Sequence, residues 1–179
     1  TWTVQTIQPG GAKFFVTGSK KESNFHVVDS EYRGLAALDA VTAIVIAEGY
    51  ATADTLSQAL NCPVVAAFDS GNLLKVAQVL QNKYPQKPIV IAGDDDLTQE
   101  SINGKNPGKE KAMEAAQLVN GAVVLPTFAP GEQMSQQLSD FNDLANKSVL
   151  GIEAVKRQVG SVVEKVSQQA KQDSLLKLQ

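Results

Sequence analysis

Acidic residues stand where apolar runs stop. "AIVIAE" ends in Glu48 and is followed at once by Gly49. "PIVIAGDDD" ends in Asp94, Asp95 and Asp96. "DFNDL", which begins with Asp140 and includes Asp143, comes after a third such run and a loop. A carboxylate at the mouth of a buried strand is costly unless positive charge sits beside it. Gathered together, these carboxylates repel, and a divalent cation is the natural remedy. Mg²⁺ takes oxygen ligands and keeps waters for a phosphate-bearing substrate. Strand alternation is expected to aim Asp94 and Asp96 in a similar direction and Asp95 away from them, as a solvated or supporting group. Asp140 and Asp143 have two readings: additional ligands, or acids favoured at the start of a helix.

The elements that must hold these residues alternate. "AIVIAE", "PVVAAF", "PIVIAGD" and "GAVVLP" are continuous apolar runs, the pattern of parallel strands buried on both faces. Between them, Ala53, Leu56, Ala59 and Leu60 recur at helical spacing, as do Leu73, Val76, Ala77 and Leu80, and then Ala112, Ala115, Ala116 and Val119. Asn106-Pro107 opens the third of these helices, with Asn as cap and Pro at its first position. The segments 43–47, 63–67, 89–93 and 121–125 are therefore expected in one four-stranded parallel sheet flanked by helices, an α/β fold of the doubly wound kind. Ligands of such sheets bind beyond the carboxyl ends of the strands, where the acids lie.

Before the sheet, "TWTVQTIQPGGAKFFVTG" reads as two short strands around a Pro-Gly-Gly turn, and Phe25 to Val28 as a third strand. After it, Ile152, Val155, Val159, Val162 and Val166 mark an amphipathic helix of about two heptads. It either packs on its own domain or docks elsewhere. The division expected is a β-rich segment 1–40, a central domain 41–147 and a helical extension 148–179. "LTQESINGK" reads as a long loop between strand and helix.

The 179 residues carry a net charge of −3, so bulk charge does not announce a nucleic-acid partner. Charge is nevertheless uneven. Lys13, Lys20 and Lys21 lie in an acid-free opening stretch, and Lys105, Lys109 and Lys111 lie beside the acidic run. Lys20, Lys21, Lys105, Lys109 and Lys111 read either as phosphate-binding groups or as solvated surface. One cysteine, Cys62, and one histidine, His26, exclude an internal disulfide and a conventional zinc site. His26 reads as a packed strand residue. "GKNPGK" lacks P-loop spacing, and no histidine is placed to activate Ser57 or Ser70. No apolar run suggests a membrane partner and no leader is evident, so a cytoplasmic address is the expectation.

An apolar strand ending in Glu-Gly, with a later one ending in Asp-x-Asp, resembles the signature of the Toprim family. The residues that carry it are "IVIAEG" and "IVIAGDDD". "EGYATADTL", "AFDSGNLL", "NPGKEKAMEAA" and "DFNDL" narrow the resemblance to the primases of conjugative plasmids and phages. It spans roughly Val4 to Val155. The resemblance implies Glu48, Asp94 and Asp96 as catalytic, metal-binding residues, with Mg²⁺ or Mn²⁺ as cofactor. It implies single-stranded DNA template and nucleoside triphosphates as substrates, and replication or conjugation proteins or further domains of a longer chain as partners. The metal would bind nucleotide phosphates, while Glu48 would ligate it or move the proton of the primer 3′-hydroxyl. A Toprim nuclease would use the same carboxylates, and a non-catalytic nucleic-acid- or partner-binding module is the remaining alternative.

Overall fold

The computed structural model describes residues 3–9 and 12–177. Its centre is a five-stranded sheet in the order β3-β5-β4-β6-β7, formed by His26–Val28, Val64–Ala66, Ile44–Ala47, Ile89–Ala92 and Ala122–Val124. The four strands expected from the apolar runs are all in it and mutually parallel. The fifth, β3, runs antiparallel to β5 at one edge. Val27 and Val28 enter opposite cores while His26 is exposed, and the strand pairs on one side only. His26 is thus exposed rather than packed, its ring 5.8 Å from that of Tyr50.

Alternation along the strands builds two cores. Val45, Ala47, Val90 and Ala92 face a layer that holds α1 (Tyr50–Leu60), α6 (Phe141–Asn146) and α7 (Gly151–Leu176). Ile44, Ile46, Ile89 and Ile91 face α2 (Ser70–Lys83) and α4 (Pro107–Leu118), together with the 3-10 helix Gly34–Asp39. The apolar stripes read from helical spacing are the residues that enter these cores. Each strand side chain is removed from water on whichever face it meets, which stabilises the α/β/α sandwich by about 25 cal/mol per Å² of apolar surface.

α7 runs for 26 residues, well beyond two heptads. Val155 and Val159 are fully buried, and Val162 and Val166 pack beside them. Ile152 is exposed, and the rest of the stripe is covered by the chain's own α1, α6 and β7. Residues 97–105 are not simply a loop. Leu97–Asn103 form α3, started by the Asp96 side chain on the Gln99 amide and stopped by Gly104 at φ +69°. A short helix Glu132–Gln136, α5, precedes α6.

β1 (Gln5–Ile7) and β2 (Lys13–Phe15) form a separate antiparallel hairpin. Gly10 and Gly11 of the turn read between them lie outside the described residues. The hairpin meets the body where the Phe15 ring stands edge-on to Phe68, 6.0 Å between centroids. Phe68 has φ +75°, an uncommon conformation for an aromatic residue, at the bend from β5 into α2.

Candidate metal centre

Two strands and three helix starts converge on the acids. Glu48 comes directly after β4, and Gly49 leads into α1. The Glu48 carboxylate faces the Ser70 backbone N–H, at the first residue of α2, which lowers its proton affinity. Asp69 caps that helix by accepting from the Asn72 amide at 3.1 Å. Asp140 caps α6, accepting from the Asp143 amide at 2.7 Å, and its other oxygen accepts from the Thr52 hydroxyl of α1 at 3.0 Å. Thr55, one turn on, donates to Asn142 at 2.9 Å. α1 and α6 are thus bolted together beside the mouth of β4.

Asp94 is seated by two glycines. A Cβ on Gly93 would stand 2.5 Å from the Ala112 Cβ, and a Cβ on Gly108 would stand 3.0 Å from the Asp94 Cβ. The missing side chain at Gly93, and the close approach at Gly108, let the start of α4 close over the end of β6. Asn106, buried at 3% exposure, ties the remaining acids to the same turn. Its amide nitrogen donates to Asp95 at 2.8 Å and to Glu100 at 3.0 Å, while its carbonyl accepts from the Asp96 amide at 3.3 Å. The Asp95 amide donates to the Ser139 carbonyl at 2.8 Å, joining this loop to the start of α6.

The charges are held apart from water. Burial is the main reason that the Asp94 carboxyl lies well above the usual carboxylate range, and the Glu48 and Asp140 charges push it further. Glu48 is raised by burial and by Asp69 and Asp140, against the opposing pull of Lys13. Asp140 is also raised, first by burial, then by Asp143. Glu48, Asp94 and Asp140 therefore form one electrostatic unit. Asp96 stands differently, with one oxygen committed to the Gln99 amide at 2.8 Å as the cap of α3. Asp95 is neutralised by Lys109 at 3.4 Å. Asp143 accepts from the Ser139 amide at 3.0 Å and pairs with Lys147 at 2.7 Å.

Of the lysines, Lys21 pairs with Asp69 and lies 5.5 Å over the Phe15 ring. Lys111 pairs with Glu114 at 2.7 Å. Lys20 and Lys105 are exposed. The cation that sequence reasoning passed over is Lys13, the first residue of β2. Its ammonium comes within 3.1 Å of the position a Cβ would take on Gly49. The acid-free opening stretch held this signal, but spacing alone could not bring residue 13 to residue 49.

Among the described residues, no three His, Cys, Asp or Glu side chains are grouped so as to hold a metal by themselves. The donor set nevertheless suits an oxygen-liganded cation. Asp94 Oδ1 is buried with no hydrogen-bond partner, and a desolvated lone pair of this kind is costly until something positive meets it. Mg²⁺ commonly takes only one or two protein carboxylates and completes its shell with water and substrate phosphate.

A Toprim-domain model matches residues 43–149. Two proteins described as DNA primase TraC, both from Escherichia coli, are similar over most of the chain. One is 39% identical over 96% of this chain and 15% of its own length, the other 41% identical over 92% and 20%. The chain therefore spans about a fifth or less of the curated relatives it matches. No solved structure matches it significantly.

Proposed function

Because the chain belongs to the Toprim domain family, we propose that its acidic centre carries out metal-dependent nucleotidyl transfer, the primer-making step of a plasmid-type DNA primase. The observation that carries this reading is the buried, unpartnered Asp94 Oδ1 beside Glu48 at the carboxyl end of paired parallel strands. Similarity to primases over nearly the whole chain supports nucleotidyl transfer among the reactions such a centre could serve. The substrates are single-stranded DNA template and nucleoside triphosphates. The setting is cytoplasmic, within a longer chain or alongside replication or conjugation proteins.

Asp94 and Glu48 would hold Mg²⁺ or Mn²⁺, which when bound neutralises nucleotide phosphates and the charge developing at the transferring phosphorus. Asp96 keeps one oxygen on its helix cap and offers its remaining lone pairs to the same centre. Asp140 braces the mouth through Thr52, and Asp143 orders the start of α6. If Glu48 leaves the metal to Asp94, its proton affinity, raised by burial, suits it instead to take the proton of the primer 3′-hydroxyl. Lys109 and Lys105, on and just before the first turn of α4, would meet phosphate oxygens as these approach the acids.

The test is primer synthesis by the parent primase on single-stranded template with labelled nucleotides, with and without Mg²⁺ or Mn²⁺. Glu48→Gln and Asp94→Asn should each abolish incorporation while the protein stays folded. Full incorporation by either variant would overturn the assignment. Cleavage of the labelled DNA without incorporation would replace nucleotidyl transfer by hydrolysis.

A further inference from the structure

The positive charge at the acidic centre comes from the chain itself. Lys13 is carried on the hairpin, outside the main sheet, and its ammonium reaches the mouth of β4 beside Gly49. Among the described residues it forms no ion pair with Glu48, Asp94 or Asp140 and so faces their charges through space, one ammonium near three carboxylates. Other cations around the acids have partners of their own, Lys109 on Asp95, Lys147 on Asp143 and Lys21 on Asp69. Burial and mutual repulsion leave the three carboxylates short of positive charge, and Lys13 is the group that reduces the deficit.

A lysine ammonium is a compact charge on a flexible four-carbon stem. It can stand beside carboxylates without the geometric demands of a guanidinium, and it can leave. A divalent cation arriving at Glu48 and Asp94 must work against that nearby charge.

We propose that Lys13 is a resident counter-ion of the acidic centre that competes with the divalent cation, and that metal binding moves its ammonium away from Gly49. This rests on the metal reading above. The consequence is a centre whose charge deficit is eased before the metal binds, with metal affinity held down until substrate phosphates add their own oxygens. The hairpin thereby takes part in setting metal affinity although it supplies no ligand.

The test is Mn²⁺ binding to the chain, monitored by electron paramagnetic resonance of the free ion, for the wild type, Lys13→Met, Lys13→Arg and Asp94→Asn. Removing one nearby positive charge should tighten Mn²⁺ binding roughly tenfold in Lys13→Met. Lys13→Arg keeps the charge and should bind as the wild type does, which separates charge from packing of the hairpin. Unchanged or weaker binding in Lys13→Met, with Asp94→Asn still abolishing it, would overturn the competition while leaving the metal site standing. Binding that Asp94→Asn does not weaken would remove the metal site, and this inference with it.

Discussion

β4 and β6 carry the same four residues, Ile-Val-Ile-Ala, lie side by side in parallel register from Ile44 opposite Ile89 to Ala47 opposite Ala92, and are buried throughout. Their continuations differ. β4 runs on as Glu48-Gly49 into α1, and β6 as Gly93-Asp94 into the loop before α3. Carried one step further, the register sets each acid beside the neighbour's glycine, so the two carboxylates are staggered rather than directly opposed. Identical strands make an interchangeable floor, and the two residues after each strand decide what is built on it. After β4 the glycine opens the way to Lys13. After β6 the glycine admits α4 over a carboxylate that is left without a partner.

The largest effects should come from removing the acids. In the parent primase, Asp94→Asn should lower nucleotide incorporation by more than about 100-fold, since even groups behind metal ligands commonly cost 10–100-fold. In the metal-free chain the same variant should melt higher, because a buried, repelled carboxylate is replaced by a neutral amide. A lower melting temperature with full activity per folded molecule would assign Asp94 to structure. Next in size is Gly93→Ala. Its Cβ would meet Ala112 at 2.5 Å, and urea denaturation should show a loss of about 2 kcal/mol from forcing α4 off the end of β6. Unchanged stability would mean that the close approach is dispensable.

Asp96 separates the two roles an acid can have here. Asp96→Ala should lose about 1 kcal/mol with its cap, whereas Asp96→Asn should keep that stability because Asn caps as well. If Asp96→Asn nevertheless loses incorporation, the charge serves the metal. If it retains full incorporation, Asp96 is a cap alone.

The smallest effect is a pH dependence. Glu48, Asp94 and Asp140 each hold a proton more tightly folded than unfolded. Their contribution to stability is therefore complete below the ordinary carboxylate range and is lost as pH rises through their raised folded values. Asp29 and Glu132 are lowered and act in the opposite direction, but their contribution is lost only as pH falls below that range. The metal-free chain should thus melt lower at about pH 7 than at about pH 5. The slope should flatten in Asp94→Asn. A slope of the opposite sign would show that the cluster is not desolvated as described.

The sheet was legible because four apolar runs separated by helical stripes leave little choice of architecture, and the two glycine-flanked acids marked its working edge. β3 was readable as a strand, but not its place: Phe25 to Val28 precedes the parallel runs, and only tertiary pairing with β5 puts it in the same sheet. α3 was hidden because Leu97–Asn103 bury nothing, so no apolar stripe announces them. Its start lies in a carboxylate that also reads as a ligand. Lys13 was invisible as a neighbour of Gly49 for a related reason. Charge composition marks a basic stretch, and only the docking of Phe15 on Phe68 brings that stretch to the acids.

The most direct measurement is a Mn²⁺ titration of the isotopically labelled chain monitored by NMR. Paramagnetic broadening should appear first at the amides of Glu48, Gly49 and Asp94, spread next to Asp96 and Asp140, and be lost from all of them in Asp94→Asn. Broadening that begins elsewhere, for example along α7, and survives Asp94→Asn would contradict a metal centre at the ends of β4 and β6.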